Sequence, residues 1–400
     1  MNYSPETTGS GPYTAGAAEA LADAGAEVHV VTVAPHYPAW RRFYGYSRRP
    51  SYEQIRGVHV HRVPVYLPRR PVLASRLLCE LSYVLSATIV SFAKRPHVVV
   101  GATPGVFCAA IAAAYARLWR VPLVQMVQDI VSAAIYQTGQ ADRAGLATKV
   151  VRWLESKSLA GAEFVTVPTD GFRDKLQRMG VASERVVCIR NWSRIEAVAE
   201  PKRERASGEP FVVMHTGNMG MKQGLEELAP TIRFMGEEAP TVRFVFVGDG
   251  NQAHALKEAT RGMSNVTLMS PVDELDYPAT LAKADVLLVH QRSTVLDMSL
   301  PSKLTSYFAA ARPVLAVTAS DSVTAAEVAR SGAGITVPPG DPLAFLAATK
   351  RLQEDSALAA SLSTAGLGYA RANLTPSAAR AALVHVVVQA LSCAQSEDRR

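Results

Sequence analysis

Four hundred residues exceed what one hydrophobic core usually supports, so the length argues for two domains or more. Hydrophobic residues at 48% and charged residues at 19% exclude a disordered chain, while Lys plus Arg outnumber Asp plus Glu by 42 to 35. The cysteines, Cys79, Cys108, Cys188 and Cys393, stand far apart without CxxC spacing. That argues against a disulfide framework or a cysteine-held zinc site, fits a reducing compartment, and reads the four as small buried apolar residues.

The chain opens on a glycine-rich loop, Asn2-Tyr-Ser-Pro-Glu-Thr-Thr-Gly9-Ser-Gly11-Pro, then a helix over Tyr13 to Ala24, a stop at Gly25 and a strand from Glu27 to Val33. Open α/β sheets carry ligand loops at the carboxyl ends of strands, so such a loop at residue 2 implies that a first strand is missing. The polar start does not read as a signal peptide. Residues 36 to 56 form a Tyr/Arg/Pro-rich loop too long for a mere connector. Arg41, Arg42, Arg48, Arg49, Arg56, Arg62, Arg69, Arg70 and Arg76 crowd this region, with Trp40, Phe43, Tyr44 and Tyr46 between them. The patch reads either as a solvated basic loop or as a face for an anionic membrane or lipid-linked substrate; no nucleic-acid module accompanies it.

A strand at Val58 to Pro64 and a helix over Leu73 to Phe92 follow. The apolar run Val98 to Ala116 is long enough to resemble a membrane span, but Pro104-Gly105 divides it into a strand and a buried helix, Val106 to Leu118. The next strand, Leu123 to Val127, ends in Gln128-Asp129 before an irregular stretch through Gly139. Asp129 there either caps a turn or does chemistry, since polar groups at the carboxyl end of a buried strand lie where such sheets act. A helix (147 to 158), a strand (163 to 167), a helix (170 to 179) and a strand (186 to 189) complete this half, and the breaker-rich Pro201 to Pro210 reads as a linker.

The second half repeats the alternation from strand 211 to 215 through strand 334 to 337, with helices over 342 to 353 and beyond 355. Two blocks of βα alternation predict two parallel-sheet α/β domains with a ligand cleft between them. Two stretches carry the chemistry. Met214-His-Thr-Gly217-Asn218-Met-Gly220-Met-Lys222-Gln-Gly224-Leu ends a strand and enters a helix, offering backbone N–H groups and a lysine to an anion. It fits neither GxGxxG nor GxxxxGK[ST], and taken alone it equally reads as an ordinary turn with an exposed lysine. Leu300-Pro-Ser302-Lys303-Leu-Thr-Ser306-Tyr-Phe-Ala-Ala-Ala-Arg-Pro313 is a second loop entering a helix. Two cationic junctions in one domain would grip a diphosphate from two sides. Gly248-Asp249-Gly250 and Gly340-Asp341-Pro read as turns.

These stretches, with Val127-Gln-Asp129 and Arg190-Asn-Trp192, resemble the retaining GT-B glycosyltransferases of family four, most closely the colanic-acid and exopolysaccharide branch, from Asn2 to about Asn373. The resemblance implies two Rossmann-like domains facing a central cleft. Residues 1–200 would bind the acceptor, with helices over 375–400 packing back on them, and residues 208–372 would bind a nucleotide-diphosphate-sugar. It implies Lys222 and Lys303 on the diphosphate, Asp129 orienting acceptor or sugar, and Gly9, Gly11, Gly217, Asn218, Ser302 and Ser306 around the donor, with no metal and no cofactor besides the donor itself. The acceptor would be a glycan or a polyprenyl-diphosphate-linked sugar, on a cytoplasmic protein peripheral to the inner face of the plasma membrane through Arg41, Arg42, Arg48 and Arg49. Two departures stand out. Asn218 replaces an arginine common in relatives, and the family's paired glutamates fall on Met298 and Ser306. A nucleotide-sugar epimerase and a catalytically silent nucleotide-sugar-binding or assembly subunit are the alternatives.

Overall fold

The computed structural model describes the chain except residues 70–71, 92–94, 138, 140–144, 198–204, 206–207 and 398–400. It divides into two compact units, Met1–Arg190 with Ser377–Arg400, and Asn191–Pro376. The first contains α1 (Gly11–Asp23), β1 (His29–Val33), β2 (Ser51–Ile55), β3 (Val58–Val63), α2 (Leu73–Ser91), β4 (Val99–Ala102), α3 (Val106–Trp119), β5 (Leu123–Met126), α4 (Val131–Gln137), α5 (Leu146–Ala160), β6 (Phe164–Val167), α6 (Arg173–Arg178) and β7 (Val186–Cys188). Its strands lie in a three-stranded sheet, β1-β3-β2, and a four-stranded parallel sheet, β4-β5-β6-β7.

Two segments of this unit are more ordered than the sequence predicts. The loop expected over residues 36 to 56 ends early, because Ser51–Ile55 is a strand antiparallel to β3. Arg56 and Gly57, both at positive φ (46° and 79°), make the two-residue turn between them. The stretch expected to be irregular through Gly139 contains α4, whose first N–H groups, those of Val131 and Ser132, donate to the buried Glu155 carboxylate of α5 at 2.8 and 3.2 Å. A carboxylate there satisfies orphan donors and favours the positive helix end. The apolar run after Val98 is β4 and α3, as its Pro-Gly break predicts. None of the four cysteines is in a disulfide; Cys79 and Cys108 are buried, Cys188 and Cys393 half-buried.

The second unit contains β8 (Phe211–Thr216), α7 (Ala229–Glu238), β9 (Val242–Val247), α8 (Ala253–Ala259), β10 (Val266–Met269), α9 (Tyr277–Ala282), β11 (Val286–His290), α10 (Lys303–Ala309), β12 (Val314–Val317), α11 (Val323–Ser331), β13 (Gly334–Val337), α12 (Pro342–Glu354) and α13 (Ser356–Asn373). The chain enters this unit at Asn191, ahead of the stretch read as linker, most of which lies outside the described residues. Ser193 N–H donates to Leu374 O at 2.9 Å, and Ile195 packs into the unit's core. The six strands form one parallel sheet in the order β10-β9-β8-β11-β12-β13.

Period-two alternation buries both faces of this sheet. Val213, Phe244, Phe246, Leu288 and Leu315 pack on one side, and Met214, Val247, Leu287, Val289 and Val314 on the other. Each such side chain contributes about 1.5–3 kcal/mol of burial. The sequence left no helix between β12 and β13; α11 fills that crossover, with Ser322 accepting from Ala325 N–H at its start.

The final helix, α14 (Pro376–Glu397), belongs to the first unit, where Val386, Val387 and Ala390 are buried against Val124. Ser356–Ala394 has the length and apolarity of a membrane span, yet it is two helices, α13 and α14, each with side chains buried in its own unit.

Candidate functional site

Strand order in the second unit reverses between β8 and β11: β9 and β10 build outward from one, β12 and β13 from the other. Parallel sheets open a crevice at the carboxyl ends of strands flanking such a reversal. Both lysine-bearing stretches start there. After β8 the chain turns at Gly217, and Gly217 N–H donates to Val247 O at 2.8 Å. Met219 N–H donates to Asp249 O at 2.9 Å, so the loop lies on the Gly248-Asp249-Gly250 segment. That segment is more than a turn. Gly248 has φ of 150°, and a Cβ on it would come within 2.0 Å of Gly217 O, so only glycine admits the loop.

The helix expected over 223 to 235 begins later: residues 217 to 224 form a loop with a turn at 221–223, Leu225–Leu228 is a single 3-10 turn, and α7 follows. Lys222 therefore extends from a turn, half-buried, with its Nζ donating to Ser299 Oγ at 3.0 Å. Ser299 belongs to the loop that enters α10. At the first position of α10, Lys303 places Nζ 2.7 Å from His215 Nε2 and 3.9 Å from where a Cβ on Gly217 would lie. His215 is fully buried, and its Nδ1–H donates to Leu288 O at 3.1 Å, which leaves the Nε2 lone pair to accept from the lysine.

The electrostatics follow from this packing. Burial, reinforced by the Lys222 charge, lowers the Lys303 ammonium from 10.5 to about 7. Burial and the neighbouring Lys303 hold His215 well below the ordinary imidazole value, so the imidazole is neutral. The two cations thus share one crevice, where Lys303 meets a neutral imidazole and Lys222 a serine hydroxyl. An anion at this point gains from both.

The other expected donor residues divide. Gly217 and Asn218 lie in the loop after β8 that carries Lys222, with Gly217 near Lys303, and Ser302 is exposed just before Lys303. Ser306 is buried and faces inward: it contributes a hydrogen bond to Tyr277, whose hydroxyl lies 2.9 Å from Thr216 Oγ1. Tyr307 O–H lies 2.9 Å from the Thr216 N–H and accepts from it. Ser306 and Met298, at the two glutamate positions, are both buried. Sequence reasoning passed over His215, Ser299 and the half-buried Asp297 beside Met298. The only local signal for His215 was a polar residue inside an apolar strand.

In the first unit, Gly9 lies against the Tyr37 ring, 3.0 Å from a Cβ placed on it, and Gly11 backs onto Glu6. The buried Glu6 carboxylate accepts from His36 and Tyr37 N–H at 2.7 and 2.9 Å, tying the N-terminal loop to the one after β1. Burial lowers His36 to about 4, and burial with the Asp129 charge raises Tyr37 to about 12. Asp129 is half-buried in the loop between β5 and α4, where its carbonyl accepts from Thr103 O–H at 3.4 Å. Gly9, Gly11 and Asp129 therefore share one neighbourhood around Tyr37, and Glu6, His36 and Tyr37 are the members the sequence did not single out.

A glycosyl transferase 4-like domain matches residues 8–192, and a domain of the glycosyl transferases group 1 matches residues 210–355. The chain is 31% identical over 326 residues to the putative colanic acid biosynthesis glycosyl transferase WcaI of Escherichia coli K12, covering 77% of this chain and 79% of that protein. The sucrose-phosphate synthase of Thermosynechococcus elongatus superposes with a TM-score of 0.73 at 17% identity, over 96% of this chain and 94% of that one. Anabaena HepE in complex with UDP-glucose gives a TM-score of 0.62 at 15% identity, over 84% and 86%.

Proposed function

Because the chain belongs to the family-four glycosyltransferases with the GT-B fold, we propose that it moves a sugar from a nucleotide-diphosphate-sugar, with retention at the anomeric carbon, to a glycan or polyprenyl-diphosphate-linked acceptor in cell-surface polysaccharide synthesis. The observation that carries the donor assignment is the pair Lys222 and Lys303 in one crevice, with burial and the Lys222 charge lowering the Lys303 ammonium to about 7. A diphosphate relieves that penalty, and the HepE structure with UDP-glucose supports the same ligand class.

In the reaction the anomeric carbon to phosphate-oxygen bond breaks, and the acceptor oxygen bonds to the same face of the sugar. The acceptor proton passes to a departing phosphate oxygen. Lys222 and Lys303 stabilise the charge developing on the diphosphate, which is preorganised electrostatic catalysis and assigns that task to side chains rather than to a metal. Asp129 is assigned to orienting the acceptor. The epimerase reading would want a titrating histidine at the donor; His215 is the candidate, and both its ring nitrogens are engaged by Leu288 and Lys303.

The likeness to WcaI supports the cell-surface polysaccharide setting. A place on the inner face of the plasma membrane is supported by exposed Arg41, Arg48 and Arg49, with half-buried Arg42, and by α2. That helix exposes Leu78, Leu81, Leu85 and Ile89, a stripe of helical spacing. Incubating the protein with nucleotide-sugars and a polyprenyl-diphosphate-sugar tests the proposal. Transfer with the donor's anomeric configuration, read by NMR of the product, is expected. An isomerised free donor, or binding without product, overturns it.

A further inference from the structure

The outward face of the sheet β1-β3-β2 carries a cluster that donor chemistry does not use. Side chains alternate along a strand, so Glu27, His29, His59, His61 and Tyr52 project to one side, while Val58, Val60 and Arg62 of β3 are buried on the other. His29 and His59 are partners across the parallel ladder, and His61 pairs with Tyr52 across the antiparallel one. The His29 and His59 rings stack with centroids 4.8 Å apart, and His29 lies 5.4 Å from His61 in the same manner.

The hydrogen bonds fix which nitrogen does what. His29 Nδ1 is 3.0 Å from His61 Nε2, and His29 Nε2 is 3.0 Å from Glu27 Oε1. Tyr52 O–H is 2.6 Å from His59 Nδ1. If His29 Nδ1–H donates to His61 and His59 Nδ1–H donates to Tyr52, both Nε2 atoms are left for a Lewis acid. One potential ligand atom each from Glu27, His29 and His59 lie within 4.8 Å of one another. Two imidazoles and a carboxylate make a common donor set for zinc, with the remaining hydrogen bonds orienting the rings. Ligand atoms in a tetrahedral site lie about 3.3 Å apart at zinc–nitrogen bonds of about 2.0–2.1 Å, so the exposed side chains need to close in by rotation.

We propose that this face binds one divalent transition-metal ion of the zinc type through Glu27, His29 Nε2 and His59 Nε2, with His61 and Tyr52 as the outer hydrogen-bond partners and a coordination position left for water. Binding displaces the proton between His29 and Glu27 into solvent. It also ties the beginning of β1 to β3, a cross-strand staple for the sheet. The site stands on the first unit alone and does not depend on how the lysine crevice is read.

The test uses the whole chain without a histidine tag, stripped with chelator and titrated with Zn2+ by calorimetry, with Co2+ absorption as a second readout. One equivalent is expected to bind and to raise the melting temperature. His29→Ala and His59→Ala each abolish that binding, and Tyr52→Phe, which keeps all three ligands, weakens it about tenfold. His254→Ala, an exposed histidine of the second unit, leaves it unchanged. All the substituted side chains are exposed or half-buried and face outward, so circular dichroism is expected to report an intact fold. No stoichiometric Zn2+ binding by the unsubstituted protein, or equal binding by His29→Ala and His59→Ala, overturns the proposal.

Discussion

Lys303 donates to His215 across 2.7 Å, and the imidazole that receives it is already anchored to Leu288 through its other nitrogen. A neutral acceptor satisfies one of the three lysine donors without cancelling the charge. Lys222 is close enough to add repulsion, so the crevice holds cationic strain that a diphosphate removes.

That arrangement predicts linked proton uptake. The folded ammonium titrates at about 7, against 10.5 ordinarily. Below the folded value both folded and unfolded chains carry the proton, and the penalty is full. Between the two values the unfolded chain holds more protons, so stability rises with pH across that window. Binding UDP-glucose raises the Lys303 value again. Calorimetry in buffers of different ionisation enthalpy is expected to show uptake of about one proton near pH 8, with affinity falling up to about tenfold per pH unit above 7.

Replacing the lysine separates stability from function. Lys303→Met removes the desolvated charge and keeps the side-chain volume, so the ligand-free protein gains about 0.5–2 kcal/mol in denaturant unfolding. Donor affinity in the same variant drops by about 2 kcal/mol or more, roughly thirtyfold, because a buried charge-assisted contact is lost.

Gly248→Ala tests the loop support. The new Cβ would clash with Gly217 O, and φ of 150° adds backbone strain. A loss of about 1–3 kcal/mol is expected from the strain. Weaker UDP-glucose binding accompanies it, whereas Gly340→Ala, at a turn with nothing near its Cβ, leaves binding intact.

Asp129→Ala addresses the acceptor side. Turnover is expected to fall about a hundredfold with donor affinity unchanged, the pattern of a group that acts in the transition state. Unchanged turnover removes Asp129 from the mechanism.

Vesicle flotation checks the surface of α2. The protein is expected to float with anionic vesicles and not with zwitterionic ones. Leu85→Asp with Ile89→Asp abolishes flotation, as does the set Arg41→Ala, Arg42→Ala, Arg48→Ala and Arg49→Ala, because weak interfacial binding needs both apolar area and charge attraction.

The sequence made the α/β alternation, the break at Pro104-Gly105 and both lysine stretches readable, since each rests on local pattern. What it hid depends on partners distant along the chain. α4 is short and gains its cap from Glu155, 24 residues beyond Val131, so no local signal announces it. β2 is polar and exposed, a strand because β3 lies beside it. Lys303 was readable as a cation entering a helix; its depressed titration comes from burial and from Lys222, which lies far from it along the chain. The hydrogen bond between Ser306 and the Tyr277 hydroxyl was likewise hidden, because the two residues lie on different helices.

The return of α14 to the first unit has a consequence for biosynthesis. Val386, Val387 and Ala390 complete a core that already includes Val98, Val100, Val124 and Phe164, and Arg380 pairs with Glu19 at 3.1 Å. A nascent chain has all of the second unit's residues outside the ribosome before the first can close. The early-made half must therefore wait, its four-stranded sheet incompletely covered, until α14 has been made, and a stop codon just past Asn373 would harm the half that was made first.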